Sequence, residues 1–205
     1  LGALPLDLKR LPVDLVSFSS HKIYGPKGIG CLFVRESVKL SPLLYGGAQE
    51  RGRRAGTENV PAIVGFAEAL KLACQELKER REHYERLRQR LLEALAAHGV
   101  DYVVNGHLEK CLPHIVNLSF PGIKASAFLA NLDLAGIAAS SGSACTAGSI
   151  TPSHVIMAMH GDEGRAQSAI RFSFGKDNTE EEMEEVARKT AEIIQRMKQR
   201  PQEVY

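Results

Sequence analysis

A helical pattern that runs from Val60 to about His98 divides this sequence into two parts of different character. Apolar side chains recur there at three- and four-residue steps, with Lys, Arg and Glu between them, as on a helix with one buried face. Gly99 follows and is predicted to end the helix. The members of the apolar stripe are Leu70, Cys74, Leu77, Tyr84, Leu87, Leu91 and Leu95. The pattern therefore predicts a long helix that joins two separately folded layers.

The two parts on either side of this helix predict different layers. Residues 13–19 and 28–35 are short, almost continuously apolar runs, typical of strands that are covered on both faces in an α/β sheet. After residue 105, strand-like and helix-like segments follow one another in a pattern typical of an α+β layer. The predicted strands are 114–120, 136–140 and 169–175, and the first two predicted helices are 124–133 and 153–161. A last helix is predicted to start with the capping box of Thr179 and Glu182. Its apolar stripe consists of Met183, Val186, Ile193, Ile194 and Met197.

Composition excludes several classes of protein. The net charge is +2 at pH 7, and basic residues are interleaved with acidic ones, so nothing favours a nucleic-acid or membrane partner. No apolar run approaches the roughly 18 residues of a membrane span, and the first residues lack the pattern of a signal peptide. No CxxC pair or metal-ligand spacing is present, which predicts no metal site and reduced thiols in the cytoplasm. Of the cysteines, Cys31, Cys74 and Cys111 are predicted to be buried small hydrophobes, whereas Cys145 is not.

The stretch "SFSSHKIYGPKGIG" places Lys22 between a strand end and a glycine-rich turn. It is not a P-loop, because Lys27 leads into a strand and not into a Ser or Thr at a helix start. Ser19, Ser20 and His21 supply hydroxyl and imidazole donors that fit the phosphate of pyridoxal phosphate. A lysine amine becomes nucleophilic when partial desolvation lowers its pKa. On these residues alone, a cofactor-binding lysine and a solvated surface lysine both remain open.

A second unusual stretch, "AASSGSACTAGSITPSHV" at 138–155, carries Cys145 among small and polar residues. Such a run favours an exposed loop, and a solvent-reachable thiol indicates that its reactivity is used. The order "GSAC" does not match the G-x-S-x-G motif of serine hydrolases. A nucleophilic thiol and a small residue in a tight turn both remain open at this position.

Four stretches taken together resemble the cysteine desulfurases of the NifS- and IscS-like type. They are "SFSSHKIYGPKGIG", "ERGRRAGTENVPAIVG", "SSGSACTAGS" and "AIRFSFG", and they follow the order of that family between about residues 13 and 185. Members of the family are pyridoxal-phosphate enzymes with the class V aminotransferase fold. The resemblance implies an α/β protein in which 1–62 is the C-terminal part of the large fold-type I cofactor domain, 63–100 is the long connecting helix and 101–205 is a small α+β domain.

The same resemblance implies how pyridoxal 5'-phosphate is held. Lys22 matches the lysine that binds the cofactor covalently, and Ser19 and His21 match donors to its phosphate. Thr57, in "RAGT", matches a threonine that reaches the phosphate of the neighbouring subunit's cofactor. The resemblance therefore implies a homodimer with shared sites.

Two further residues are implied to act on the substrate. Arg171, in "IRFS", matches the arginine that grips the substrate carboxylate, for which a planar guanidinium offers a bidentate fit. Cys145 matches the loop cysteine that takes sulfur from L-cysteine as a persulfide and leaves L-alanine. Its Ser/Gly/Ala-rich surroundings resemble the branch that hands sulfur to an iron–sulfur scaffold or another acceptor protein. His114 is a weaker acid–base candidate, since "LPHIVN" favours a structural residue at a strand edge.

Alternatives of three kinds remain. A selenocysteine lyase would use the same residues on a different substrate, and an aminotransferase of the same fold would not need Cys145. A non-catalytic sulfur-transfer or scaffold-docking module would use Cys145 without a cofactor. Since family members are about twice as long, the chain is predicted to be the C-terminal half of an enzyme, inactive or poorly soluble alone, with the partners of the cofactor ring in residues before Leu1.

Overall fold

The computed structural model describes residues 1–141 and 152–199, and the chain divides into two compact units. Unit 1 comprises Leu1–Glu79, and unit 2 begins at Arg80. The boundary between the units falls inside the segment 63–100 that is predicted to connect two domains. Each unit has its own cluster of buried apolar side chains, so each has a core to be considered by itself.

Unit 1 combines a two-stranded antiparallel sheet with one long helix. Its elements are β1 (Leu15–Ser19), a 3-10 turn (Ser20–Ile23), β2 (Gly30–Val34), a short turn α1 (Gln49–Gly52) and α2 (Val60–Gln75). In the sheet, Leu15 lies opposite Val34, and Ser19 lies opposite Gly30. Both predicted strands of this part are therefore present. Their pairing closes the loop that contains Lys22.

The strands of unit 1 are less covered than their composition predicts. Leu15 is 45% exposed and Leu32 is 49% exposed, whereas Phe18 packs against the small cluster under α2. The expectation that both faces are covered is therefore not met by the described residues. A near-continuous apolar run shows which side chains are suited to burial, but the covering layers have to come from other chain segments.

Unit 2 is an antiparallel three-stranded sheet with helices. Its strands are β3 (Val103–Val104), β4 (Ile115–Ser119) and β5 (Ala169–Ser173), in the order β3-β4-β5. Its helices are α3 (Leu77–Ala97, most of it in this unit), α4 (Ala125–Leu134), α5 (His154–His160), α6 (Glu163–Gln167) and α7 (Glu180–Gln199). The strands predicted at 114–120 and 169–175 and the helices predicted at 124–133, 153–161 and after Thr179 are confirmed. The strand predicted at 136–140 is reduced to one bridge between Ser140 and Arg171.

One face of the β4–β5 pair forms the centre of the core of unit 2. Leu118 and Ile170 lie opposite each other and are fully buried, as are Leu91 of α3 and Phe128 of α4. The ring of Phe128 meets that of Phe120 edge-on, with centroids 5.0 Å apart. Burial of large apolar side chains is the main favourable term in folding, so these contacts set the stability of the unit.

The last helix begins with the capping box that the sequence predicts. Thr179 Oγ1 accepts a hydrogen bond from the Glu182 N–H at 3.3 Å, and a Glu182 carboxylate oxygen accepts from the Thr179 N–H at 3.0 Å. Two N–H groups that the helix leaves unpaired are thereby satisfied. The apolar stripe is buried through Met183, Ile193 and Ile194.

The long helical pattern is realised as two helices. Glu76 separates α2 from α3 with φ −92° and ψ 5°, which breaks the helical path. In α3 the predicted stripe is buried from Tyr84 to Leu95 and Leu77 is half-buried, but α2 buries Phe66, Ala69 and Ala73 instead of Leu70 and Cys74. The predicted stripe is wrong for α2 because the break gives each helix its own buried face. No helix among the described residues has the length and apolar composition needed to cross a membrane.

The burial predicted for three cysteines is wrong. Cys31, Cys74 and Cys111 are all free and exposed. Cys31 lies on β2, whose first three residues are exposed, and Cys74 lies on the side of α2 away from its buried face. Cys111 follows β3 in an irregular segment. An apolar setting in sequence does not tell which face of an element meets the core.

The two leucines Leu91 and Leu134 provide a matched test of the core of unit 2. Leu91 is 0% exposed, whereas Leu134 is 86% exposed. We expect Leu91→Ala to lower the free energy of unfolding by about 2–5 kcal/mol, because it leaves a cavity. Leu134→Ala should change it by less than about 0.5 kcal/mol. Chemical denaturation followed by circular dichroism measures both, and equal effects would contradict this core.

Candidate functional site

The end of β1 carries the predicted cofactor residues. Ser19 is the last residue of β1, and the following 3-10 turn contains His21 and Lys22, both exposed. The next residue, Ile23, is only 3% exposed and packs against the cluster under α2. Lys22 therefore points to solvent from a turn whose neighbouring residue is anchored in the core. Three predicted site residues, Ser19, His21 and Lys22, are thus exposed within four positions of the chain.

A close approach of Gly25 to Ser20 holds this turn. The Gly25 N–H donates to the Ser20 carbonyl at 3.1 Å, and the Ser20 N–H donates to the Ile29 carbonyl at 3.2 Å. A Cβ atom at Gly25 would overlap Ser20 Oγ and would lie 3.0 Å from Ala69 Cβ. Ser20 is fully buried, and its Oγ has no hydrogen-bond partner among the described residues. Glycine is required here by space, and this explains Gly25 in the run "KIYGP".

Thr57 lies in the same unit, in the segment that leads into α2. It is exposed and follows Gly56, whose φ of +107° favours glycine. Asn59 then caps α2, since its Oδ1 accepts from the Ala62 N–H at 3.3 Å. The threonine is therefore presented at the surface, two residues before a helix N-cap.

Arg171 occupies the middle of β5 in unit 2. It lies opposite Asn117 of β4, and its main chain exchanges two hydrogen bonds with Ser140, at 2.6 and 3.1 Å. The guanidinium Nε is buried and has no hydrogen-bond partner among the described residues. A buried donor without an acceptor costs roughly 1–3 kcal/mol, and a bound acceptor would remove that cost. Cys145 lies outside the described residues.

His114 directly precedes β4. Its ring lies 5.7 Å from that of Tyr84, and its main-chain carbonyl accepts from the Phe174 N–H at 2.8 Å. Burial lowers the pKa of His114, because an apolar environment disfavours the charged imidazolium. The Nδ1 atom is buried without a hydrogen-bond partner among the described residues. These contacts match a histidine that packs at a strand edge.

A polar group lies on the face of the sheet in unit 2 opposite Leu118 and Ile170, and no motif in the sequence marks it. Asn105, Asn117 and Arg165 are joined there by side-chain hydrogen bonds. The available signal was the alternation in "HIVNLSF", which puts Asn117 on the face opposite Val116 and Leu118. The position of Arg165 on α6 had no such signal, since that short helix was not predicted.

The match to known proteins defines a class for this fold and site. The family model described as aminotransferase class-V matches residues 1–186. The match spans most of the chain. The chain therefore belongs to the class V aminotransferase family, and the predicted fold class is confirmed.

Within this family the chain is similar to proteins named cysteine desulfurases. It is 52% identical over 197 residues to the putative cysteine desulfurase IscS 1 of Bacillus subtilis (strain 168), covering 96% of this chain and 52% of that relative. It is 45% identical over 199 residues to the cysteine desulfurase of Gluconacetobacter diazotrophicus, covering 97% of this chain and 50% of that relative. The predicted resemblance is confirmed. The chain spans about half the length of the curated relatives it matches.

Solved structures give the same result. A NifS-like protein superimposes with a TM-score of 0.83 at 41% identity, covering 95% of this chain and 50% of that chain. A NifS-like protein from Rickettsia africae superimposes with a TM-score of 0.81 at 31% identity, over 95% of this chain and 51% of that chain. The similarity therefore extends over both units.

The contact of Gly25 with Ser20 predicts a coupled pair of substitutions. Gly25→Ala should lower the free energy of unfolding by about 1–3 kcal/mol, because the new methyl group overlaps Ser20 Oγ. Ser20→Ala alone should be neutral or stabilising, since it removes a buried hydroxyl without a partner among the described residues. The double variant should recover part of the loss, and denaturant unfolding measures the coupling.

Gly28→Ala is the control for that pair. Gly28 has a φ of +81°, and a Cβ atom there would meet no other atom within 4 Å, so alanine costs about 1 kcal/mol through backbone strain alone. Its effect should be independent of Ser20→Ala. Additive effects for Gly25→Ala and Ser20→Ala would show that the two residues do not meet.

The lowered pKa of His114 predicts acid-sensitive stability. The folded chain favours neutral His114, whereas the unfolded chain protonates it near its ordinary pKa of about 6.5. The stability contributed by the neutral form is therefore present above that pH and is lost as the pH falls below it. His114→Phe should flatten the dependence of the free energy of unfolding on pH between about 7 and 5.

The control for this test is His160→Phe, which removes an exposed imidazole at the end of α5. It should leave the acid dependence as in the unsubstituted chain. If His114→Phe also leaves that dependence unchanged, burial does not hold His114 neutral.

Proposed function

We propose that the whole protein, meaning this chain with any further residues of its polypeptide, is a cysteine desulfurase. It removes sulfur from L-cysteine, releases L-alanine and leaves a persulfide on Cys145. The observation that carries this proposal is the buried Arg171 Nε, which lacks a hydrogen-bond partner among the described residues. Similarity to cysteine desulfurases over 96–97% of this chain supports the choice of substrate.

Arg171 is suited to hold the carboxylate of an amino acid. Its guanidinium carries five N–H donors in a planar fork, and a carboxylate accepts two of them in parallel. The main-chain pairing of Arg171 with β4 on one side and Ser140 on the other fixes the start of the side chain. A fixed strand position lets one charged side chain orient the substrate as well as bind it.

The residues at the end of β1 fit pyridoxal 5'-phosphate, on which the family depends. Lys22 supplies an amine, His21 and Ser19 supply donors for a phosphate, and all three are exposed at the end of β1 and on the turn that follows it. The close contact of Gly25 with Ser20 leaves no space for a side chain and keeps the turn narrow. When bound, this cofactor withdraws electrons from the α-carbon of an amino acid. Lys22 would hold the group covalently and then carry a proton on Nζ.

The reaction balances without a further oxidant or reductant. The bond between the substrate's β-carbon and its sulfur breaks, and a bond forms between that sulfur and Cys145 Sγ. The electron pair of the broken bond stays with the carbon, which takes up a proton and becomes the methyl group of alanine. Cys145 attacks as the thiolate, because a thiolate is the nucleophilic form of cysteine.

The proposed partners follow from the same assignment. A second copy of the protein would contribute Thr57 to the phosphate of its neighbour's cofactor, which the exposure of Thr57 permits. The persulfide would pass to an iron–sulfur scaffold or another acceptor protein in the cytoplasm. In this proposal residues 1–62 belong to the cofactor domain, 63–100 connect the domains and 101–205 form the small domain.

Alanine release from L-cysteine tests the proposal in the whole protein with pyridoxal 5'-phosphate. Lys22→Ala and Cys145→Ala should abolish release, and Arg171→Lys should raise the KM by roughly tenfold or more, since the bidentate contact is lost. Lys27→Ala is the matched control, because Lys27 is an exposed lysine on the same loop. Since the chain spans half the length of its relatives, the 205 residues alone should release no alanine.

Three results would contradict the proposal in different ways. Equal release from Cys145→Ala and the unsubstituted protein would indicate a lyase or transaminase that does not use the thiol. Faster turnover of selenocysteine than of cysteine would indicate a selenocysteine lyase. Unchanged release from Lys22→Ala would remove the assignment of the cofactor lysine.

A further inference from the structure

A row of polar residues crosses the sheet of unit 2 beside Arg171. The Asn105 N–H donates to the Asn117 carbonyl at 2.8 Å, and Asn117 lies directly opposite Arg171. The neighbouring pair Leu118 and Ile170 faces the core. Because side chains alternate along a strand, Asn117 and Arg171 project from the other face. Directly opposed residues have Cβ atoms about 4.5–5.5 Å apart, so these two side chains are neighbours.

Arg165 fixes the orientation of the side-chain amides of Asn105 and Asn117. The Arg165 Nε donates to Asn105 Oδ1 at 2.5 Å, and a guanidinium has donors only, so the atom that it meets is the amide oxygen. Asn105 Nδ2 then donates at 2.7 Å to both Asn117 Oδ1 and Ser119 Oγ. The oxygen of Asn117 is thereby turned toward Asn105. The two N–H groups on Nδ2 of Asn117 make no hydrogen bond to the described residues.

Arg165 itself is held at three further points. Its Nη2 donates to the Val104 carbonyl at 2.7 Å, and its main-chain N–H donates to Asp162 Oδ1 at 3.0 Å. Its carbonyl accepts from Ser119 Oγ at 2.7 Å. The Arg165 side chain is tied to β3 and to Asn105, and its main chain is tied to β4 and to the start of α6, so the guanidinium cannot reorient without breaking hydrogen bonds. Arg165 therefore sets the direction of the Asn117 amide through the side chain of Asn105.

We propose that Asn117 is a second ligand of the substrate carboxylate, next to Arg171, and that Arg165 and Asn105 are positioning residues for its amide. The inference rests on the proposed function, which assigns Arg171 to that carboxylate. A carboxylate has about four acceptor positions, and a bidentate guanidinium uses two of them. An N–H of Asn117 on the same face of the sheet takes another. The pair selects ligands that keep a free, ionised carboxylate.

Binding of two matched ligands to the whole protein with its cofactor tests the inference. L-alanine has a carboxylate, and L-alaninamide replaces it with a neutral amide. Calorimetric titration of Asn117→Ala should show L-alanine binding weakened roughly tenfold or more, the usual effect of losing a hydrogen bond to a charged group. Binding of L-alaninamide should weaken by a clearly smaller factor, because its amide carbonyl accepts the same N–H only as a neutral acceptor.

Two nearly isosteric variants separate this role from a structural one. Asn117→Asp keeps the acceptor for Asn105 but has no N–H group, and it should weaken L-alanine at least as much as Asn117→Ala. Asn105→Asp keeps the acceptor for Arg165 but cannot donate to Asn117, so the amide of Asn117 loses its fixed direction. It should weaken L-alanine by a smaller factor than Asn117→Asp does. Circular dichroism and thermal unfolding verify that each variant is folded.

Asn131→Ala is the matched control, because Asn131 Oδ1, like Asn117 Oδ1, accepts a side-chain hydrogen bond, here from Arg196 and on the surface of α4. It should leave the affinity for both ligands unchanged. Equal weakening of both ligands in folded Asn117→Ala, or no weakening of L-alanine, would overturn the inference. Arg171→Ala is the separate test of the proposed function. If it weakens L-alanine while folded Asn117→Ala does not, the proposed function stands and the role of Asn117 falls.

Discussion

The antiparallel pairing of β4 with β5 is the interaction on which unit 2 depends. On one face it brings Leu118 and Ile170 together in a core shared with α3, α4 and α7. On the other face it places Asn117 beside Arg171. A slip of the pairing by one residue would turn these polar side chains into the core and the leucine and isoleucine outward. The register that stabilises the unit is therefore the same register that assembles its polar face.

In unit 1 a smaller core holds the turn that carries Lys22. Ile23 anchors the turn on α2, and its two predecessors, His21 and Lys22, remain at the surface. The buried Ser20 and the missing Cβ of Gly25 let the chain turn back at once after Ile23. The exposed apolar residues of β1 and β2 show that this unit presents surface which its own described residues do not bury. Its local geometry around Lys22 is nevertheless fixed by contacts within the unit.

The sequence predicts the elements well where period and end signals agree. The box of Thr179 and Glu182 locates the start of α7, and the alternation in "HIVNLSF" locates β4. It predicts less well where the signal concerns which face is buried. Cys74 fits a helical stripe but is exposed, because the break at Glu76 gives α2 and α3 separate faces. Whether a helix continues through one residue is decided by tertiary packing, which periodicity alone does not contain.

The residues of the candidate site also differ in how well the sequence predicts them. The runs around Lys22 and Arg171 can be found from sequence, because each is local. The group of Asn105, Asn117 and Arg165 joins residues up to 60 positions apart, so it is visible only once the pairing of the strands is known.

The two neighbours of Arg171 in the sheet are held in different ways, and this bears on how the sequence can diverge. Among the described residues, the hydrogen bonds of Ser140 to Arg171 run through its main-chain N–H and carbonyl. Residue 140 can therefore be exchanged during evolution for any side chain that tolerates an extended backbone. Residues 105, 117 and 165 interact through their side chains, so a change at one favours a compensating change at another. Among homologues, the strand position on one side of Arg171 should drift freely, while the three on the other side should vary together.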